Sequence, residues 1–173
     1  YQSYYRFKEG KLPIIDAKIA LSKDYYTKDK RKKWITNKKS RKLAHLLRSK
    51  YDALLSTSKS INKDNSLLNC RIEGLENRSP NLIVLDRNLT LKKNLNIFKN
   101  KSNRKIYIYT TRKNKKKIRW LRKNKIKVIL LPRMCSKNDF TILFKSFTKL
   151  GFSRIFVETG LTFINFLIYN KFI

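Results

Sequence analysis

Apolar positions in this chain come in short runs whose spacing switches repeatedly between that of a strand and that of a helix. Runs of aliphatic and β-branched residues at 14–22, 52–55, 81–86, 105–110, 127–131 and 154–158 predict strands. Between them, 37–50, 112–124, 138–150 and 161–169 read as helices. In 138–150, Phe140, Leu143, Phe144, Phe147 and Leu150 follow helical spacing as a core face, and Gly151 is placed to close the helix. In 37–50 no Gly, Pro or β-branched residue interrupts, and Thr36 is the expected cap. Strands and helices in alternation predict an α/β fold, with a parallel or mostly parallel sheet covered on both faces.

The helix 37–50 has two unlike faces. At 100° per residue, Arg41, His45 and Arg48 fall together, opposite Leu43, Leu46 and Leu47, so the leucines are expected to enter the core. On the helix alone the basic face reads as solvated. The next segment changes that reading, because the strand 52–55 runs into Ser56-Thr-Ser-Lys-Ser. Hydroxyls and backbone donors therefore gather at a strand end, where open α/β sheets place ligand crevices. A polar loop, 60–71, adds Ser60, Asp64 and Arg71 to the same span. Arg48 and Arg71 are the best phosphate ligands in the chain, since a guanidinium fork matches two phosphate oxygens.

Composition narrows the class. The 173 residues suffice for one domain with a sizeable core, and 41% hydrophobic with 12% aromatic residues argue for a folded chain. A formal net charge of +32 raises nucleic acid as a partner. The lysines, however, are spread over nearly every loop and helix and accompany many Asn and Ile, as AT-rich coding would also produce. From either origin, the charge favours phosphorylated ligands. Cys70 and Cys135 are isolated, which points to neither a disulfide framework nor a metal knuckle. No leader-like segment opens the sequence and no apolar run approaches the roughly 18 residues of a membrane span, so a cytoplasmic protein is expected. Tyr1 in place of Met, and the ending at Ile173, predict a fragment of something longer.

Several motifs, taken in order, carry a resemblance: Trp34-Ile-Thr, Arg41, His45-x-x-Arg48, Asp52-Ala, Ser60, Asp64-Asn-Ser-x-Leu68 and Arg71, with Lys18-Ile-Ala-Leu-Ser22-Lys-Asp24 upstream, and Pro80 to Asp86 and Val157-Glu158-Thr-Gly160 downstream. Their joint order and spacing resemble the reductase domain of bifunctional riboflavin-biosynthesis deaminase/reductases. The resemblance implies a three-layer α/β/α fold of the dihydrofolate reductase kind with a mostly parallel, mixed sheet. It further implies a leading segment 1–13 and a reductase domain 14–173 that lacks its last strands. The implied activity is NADPH-dependent reduction of the ribosyl group of 5-amino-6-(5-phosphoribosylamino)uracil to a ribityl chain. By the same resemblance, Ala20, Trp34, Ser60, Asp64, Gly160, Leu161 and Thr162 would contact the cofactor. Lys32, Arg48, Leu68, Arg71 and Glu158 would contact the substrate. Glu158 and Asp24 are the candidates for orienting or protonating it, and a homodimer and a deaminase domain N-terminal to this chain are the implied partners.

The sequence departs from the family pattern at four informative places. Tyr25 stands where the family has Gly, Ser60 where it has Thr, Ser66 where it has Pro, and Thr159 where it has the first Gly of a pair. The zinc-deaminase signatures H-x-E and P-C-x-x-C are absent. Three other readings stay open: a basic nucleic-acid-binding protein, a reductase-like interaction module without activity, and a dihydrofolate reductase. The paired arginines and the Asp64-Asn-Ser-x-Leu68 loop speak against the last.

Overall fold

In the computed structural model, residues 4–5, 8–9, 11–27, 35–99 and 104–173 are described. Six strands, β1 (Ile14–Ala17), β2 (Ala53–Thr57), β3 (Asn81–Leu85), β4 (Ile106–Thr110), β5 (Lys127–Leu130) and β6 (Arg154–Val157), form one sheet in the order β1-β6-β2-β3-β4-β5. Every pairing is parallel, from Ile14 opposite Arg154 at one edge to Thr110 opposite Leu130 at the other. Parallel strands demand crossover connections, and helices supply most of them: α1 (Lys38–Arg48), α2 (Ser58–Asp64), α3 (Asn96–Lys99), α4 (Lys115–Lys123), α5 (Lys137–Lys149) and α6 (Leu161–Tyr169).

Alternation along the strands sorts the core into two layers. Ala53, Leu55, Ile83, Leu85, Tyr107, Tyr109, Ile155 and Val157 point to one face, where α5 and α6 cover them. Leu54, Leu82, Val84, Ile108 and Phe156 point to the other, beneath α2, α4 and the loops that follow α2 and β3. The predicted three-layer α/β/α architecture is thus present. Phe140, Leu143, Phe144 and Phe147 are buried, each worth roughly 1.5–3 kcal/mol of burial. Leu150 is not part of that face: it is the C-cap residue and half open to solvent, and Gly151 takes φ +88° behind it.

The sequence-based expectations fail in four further places, each for a local reason. Asn37 rather than Thr36 caps α1, its Oδ1 accepting from Ser40 N at 2.8 Å. The leucine face of α1 enters the core only in part: Leu47 packs against it and Leu46 is half-buried, but Leu43 is 56% exposed, and Arg41, His45 and Arg48 are half-buried as well. The strand expected over 14–22 stops at Ala17, because β6, its one neighbour among the described residues, ends at Val157; Lys18 N makes the last bond, to Val157 O. The first part of the polar loop 60–71 is helical, since Thr57 Oγ1 caps α2 by accepting from Ser60 N, and Asn65 closes it at φ +44°.

Candidate active site

The carboxyl ends of β2 and β6, which lie side by side in the sheet, carry the site. Glu158 leaves β6 with its N–H bonded to Leu55 O, and Ser56 Oγ donates to Glu158 O at 2.7 Å, so the backbone at this turn is fixed from β2. Arg48, the last residue of α1, donates from Nε to Glu158 Oε1 at 2.6 Å and from Nη2 to Oε2 at 2.9 Å. Only 12% and 11% of these two side chains is exposed. A bidentate pair sheltered this far from water is strong and geometrically specific. The third arm of Arg48, Nη1, donates to Asn69 O at 2.8 Å.

His45, the chain's single histidine, extends this network. Its Nδ1 lies 3.0 Å from Asn69 O and its Nε2 lies 3.1 Å from Arg71 Nη2. A carbonyl only accepts and a guanidinium only donates, so the contacts to Asn69 O and Arg71 place the proton on Nδ1 and leave Nε2 as acceptor; Arg48 Nη1, 3.3 Å from Nδ1, then donates to Asn69 O at 2.8 Å and not to the ring. Burial, followed by the charges of Arg48 and Arg71, holds the imidazole pKa below its ordinary 6.5, in agreement with a neutral ring. With Nδ1 donating to Asn69 O and Nε2 accepting from Arg71, His45 orients Arg71 and has no N–H left for a ligand.

The loop after α2 is shaped by these contacts. Leu68 is buried and left-handed, φ +52°, and Arg71 follows it at the surface. Cys70 N donates to Ser79 Oγ at 3.0 Å, and Asn65 Oδ1 accepts from Asn96 N at 2.8 Å. Proline at position 66 would push residue 65 out of the left-handed region, and Ser66 leaves Asn65 free to adopt it.

Next to Glu158, three hydroxyls close a triangle. Thr57 Oγ1 and Thr159 Oγ1 are 2.9 Å apart, Ser60 Oγ and Thr159 Oγ1 3.0 Å, and Thr57 Oγ1 and Ser60 Oγ 3.1 Å. Gly160 N donates to Ser60 Oγ at 3.2 Å. Thr159 therefore ties the turn to α2, as a glycine could not. Gly160 is the N-cap of α6 at φ −73°, an angle any residue adopts, and no side chain caps the helix. A methyl group at Gly160 would meet nothing closer than Ser60 Oγ at 4.0 Å. The fold does not need this glycine, and its bareness leaves the backbone open in front of Leu161 and Thr162, which are exposed in the first turn.

Other expected positions stand apart from this network. Ala20 is half-buried beyond β1, Asp64 is exposed at the end of α2, and Asp24 is exposed in a tight turn. In that turn Tyr25 takes φ +64°, with Ser22 N donating to Tyr26 O at 2.9 Å. Lys32 and Trp34 lie outside the described residues. Farther along the carboxyl edge, Asn88, Arg112, Lys113 and Asn114 line a basic pocket beyond β3 and β4. No group of His, Cys, Asp and Glu among the described residues is arranged to hold a metal ion, and no described helix is long and apolar enough to cross a membrane. Asn69 acts through its backbone carbonyl and so has no side-chain signature to read.

Comparison with known proteins agrees with this geometry. Residues 13–173 match the family model for the RibD C-terminal domain. The riboflavin biosynthesis protein RibD of Aquifex aeolicus is 30% identical over 128 residues, covering 74% of this chain and 34% of that protein. The 5-amino-6-(5-phosphoribosylamino)uracil reductase of Buchnera aphidicola is 28% identical over 152 residues, covering 82% of this chain and 70% of that protein. The solved structure of Acinetobacter baumannii RibD superposes with a TM-score of 0.80 at 17% identity, over 99% of this chain and 47% of that one, and shows the shared fold. This chain thus spans about a third to half the length of its RibD relatives, and within that span it belongs to the RibD C-terminal domain family.

Proposed function

We propose that the chain reduces the ribosyl group of 5-amino-6-(5-phosphoribosylamino)uracil to the ribitylamino product, with NADPH as the reductant. The observation that carries this reading is the linked network of Glu158, Arg48, Asn69, His45 and Arg71, set beside an uncapped, side-chain-free turn at Gly160. A sugar phosphate needs cations for its phosphate and acceptors for its hydroxyls. Arg71 presents its remaining guanidinium donors at the surface, and Glu158 keeps two of its roughly four lone-pair sites after Arg48 has taken the others. Both suit a phosphorylated, polyhydroxylated ligand.

The Gly160 turn fits a dinucleotide. Gly160 N is taken by Ser60 Oγ, and the amides of Leu161 and Thr162 that follow form the N-terminus of α6, where partial positive charge favours phosphate oxygens. Ser60 holds the turn in place, and Arg112 and Lys113 offer charge for an additional phosphate monoester, which supports NADPH over NADH. When bound, the nicotinamide cofactor supplies the hydride. The chain's own residues hold the acceptor carbon against the donor, fix the phosphates, and orient the sugar through Glu158. Homodimerisation, a cytoplasmic location and a companion deaminase domain belong to the same proposal, and light scattering of the purified chain tests the first.

Titration of the purified chain with NADPH and NADH, followed by tryptophan fluorescence, tests the reading. Saturable micromolar binding that prefers NADPH and disappears in Asp64→Ala is expected. Gly160→Ala is the sharper variant: its melting temperature should stay within a degree or so, because the added methyl meets nothing within 4 Å except Ser60 Oγ, while NADPH affinity falls about tenfold, the cost of one lost phosphate contact. Tight DNA binding that survives about 0.2 M salt without any dinucleotide binding would overturn the proposal in favour of a polyanion binder.

A further inference from the structure

Arg104 lies just before β4, in a basic stretch that no motif marks. Its guanidinium is turned inward, where Nη1 donates to Leu68 O and Nη2 donates to Leu67 O. Among the described residues no carboxylate pairs with it, and its Nε is buried without a partner. Burial and the nearby Arg48 charge lower its pKa to about 10. A cation placed among backbone carbonyls, without a counter-ion and close to a second guanidinium, is costly for stability. Packing alone would be served as well by an apolar side chain of similar length.

The two carbonyls it holds explain its place. They flank the left-handed Leu68, a conformation that costs an L-residue about 1–2 kcal/mol. The same loop is held at Asn69 O by Arg48 and His45, and two residues later presents Arg71 at the surface. Arg104 therefore grips the loop at Leu67 and Leu68, and Arg48, itself paired with Glu158, grips it at the next carbonyl, Asn69 O.

We infer that Arg104 is a positioning residue for substrate binding: by clamping Leu67 O and Leu68 O it fixes the loop that sets Leu68 and Arg71, without itself touching the ligand. This inference rests on the substrate reading proposed above. Ser66, standing where the family pattern has proline, leaves the loop in need of such a clamp.

Cys70 gives a local readout that does not depend on activity. It is 1% exposed and sits inside the loop, between Asn69 and Arg71, whereas the exposed Cys135 can be removed as Cys135→Ser. In that background, Arg104→Met should raise the rate at which a thiol reagent labels Cys70 at least tenfold at a temperature well below its melting transition. Arg104→Lys, which keeps one cationic donor, should fall between the two and carries the test if the Met variant does not fold. In steady-state assays the KM for the phosphoribosylamino-pyrimidine should rise about tenfold, the cost of a lost charge-assisted hydrogen bond, with the KM for NADPH within twofold. Unchanged Cys70 labelling in both variants, or a fall in melting temperature with no selective change in the substrate KM, would overturn the inference. Faster Cys70 labelling of the Arg104 variants, when the chain with Arg104 intact shows no turnover, would support the clamp and refute the substrate reading instead.

Discussion

The imidazole of His45 is the most sharply testable group in the site, because it is the chain's single histidine and its NMR resonances need no assignment. Its pKa should lie below 6.5, and Arg71→Met should move it upward by removing one of the two guanidinium charges that oppose protonation. The consequence for stability follows from linkage. As pH falls through 6.5 the unfolded chain takes up a proton that the folded ring resists. His45 therefore contributes its full stabilisation above about 6.5 and loses it progressively down to the depressed folded value. Chemical denaturation at pH 7.5 and 5.5 should show the loss, and His45→Gln should flatten this part of the profile. The residues that made this site legible were those with distinctive chemistry: Arg48, Arg71 and Glu158. Their mutual pairing was not legible, because Arg48 and Glu158 are 110 positions apart and no local pattern couples them. Arg104 was invisible for a different reason, since one arginine among many lysines has no signature until its surroundings are known.

At the level of elements, the turn 22–26 shows how far backbone geometry outlasts the residue that suits it. Tyr25 occupies a left-handed conformation with 81% of its surface in solvent, so the turn is held by backbone hydrogen bonds that a glycine would keep, while its side chain buries little. Tyr25→Gly should raise stability by about 0.5–1 kcal/mol, seen as an increase of a few degrees in melting temperature. Strand positions were readable to within one or two residues wherever β-branched runs ended at polar ones, as at β3, β4 and β6. Helix α2 was not, because Ser58–Asp64 buries only Ser58 and Ile61 and so offers no apolar stripe; its cap, Thr57, was the available signal. For α1 the period was right, but the basic face is half-buried alongside Leu46 and Leu47 instead of lying opposite a fully buried leucine face. A ligand-facing helix turns its polar side inward, and the hydrophobic pattern alone cannot report that.

For the whole molecule, charge governs association. With a net charge of +32, the field around the chain draws in any phosphorylated ligand before specific contacts form. NADPH affinity should weaken steadily as salt rises from 50 to 200 mM, and the loss should lie mainly in the association rate, measurable by stopped-flow fluorescence. Gly160→Ala should keep the same salt slope at lower affinity, which separates the diffuse field from the local turn.

The strand order has a consequence in time as well as in space. β1 precedes β2 to β5 in the chain, yet the strand it pairs with is β6, which inserts between β1 and β2. On the ribosome β2 to β5 can assemble as their residues emerge, while the N-terminal strand stays without a neighbour until about residue 157 has left the exit tunnel. Of these six strands the one that leads into Glu158 is thus the last to arrive, and its arrival joins β1 to β2 and brings Glu158 to Arg48 in one event.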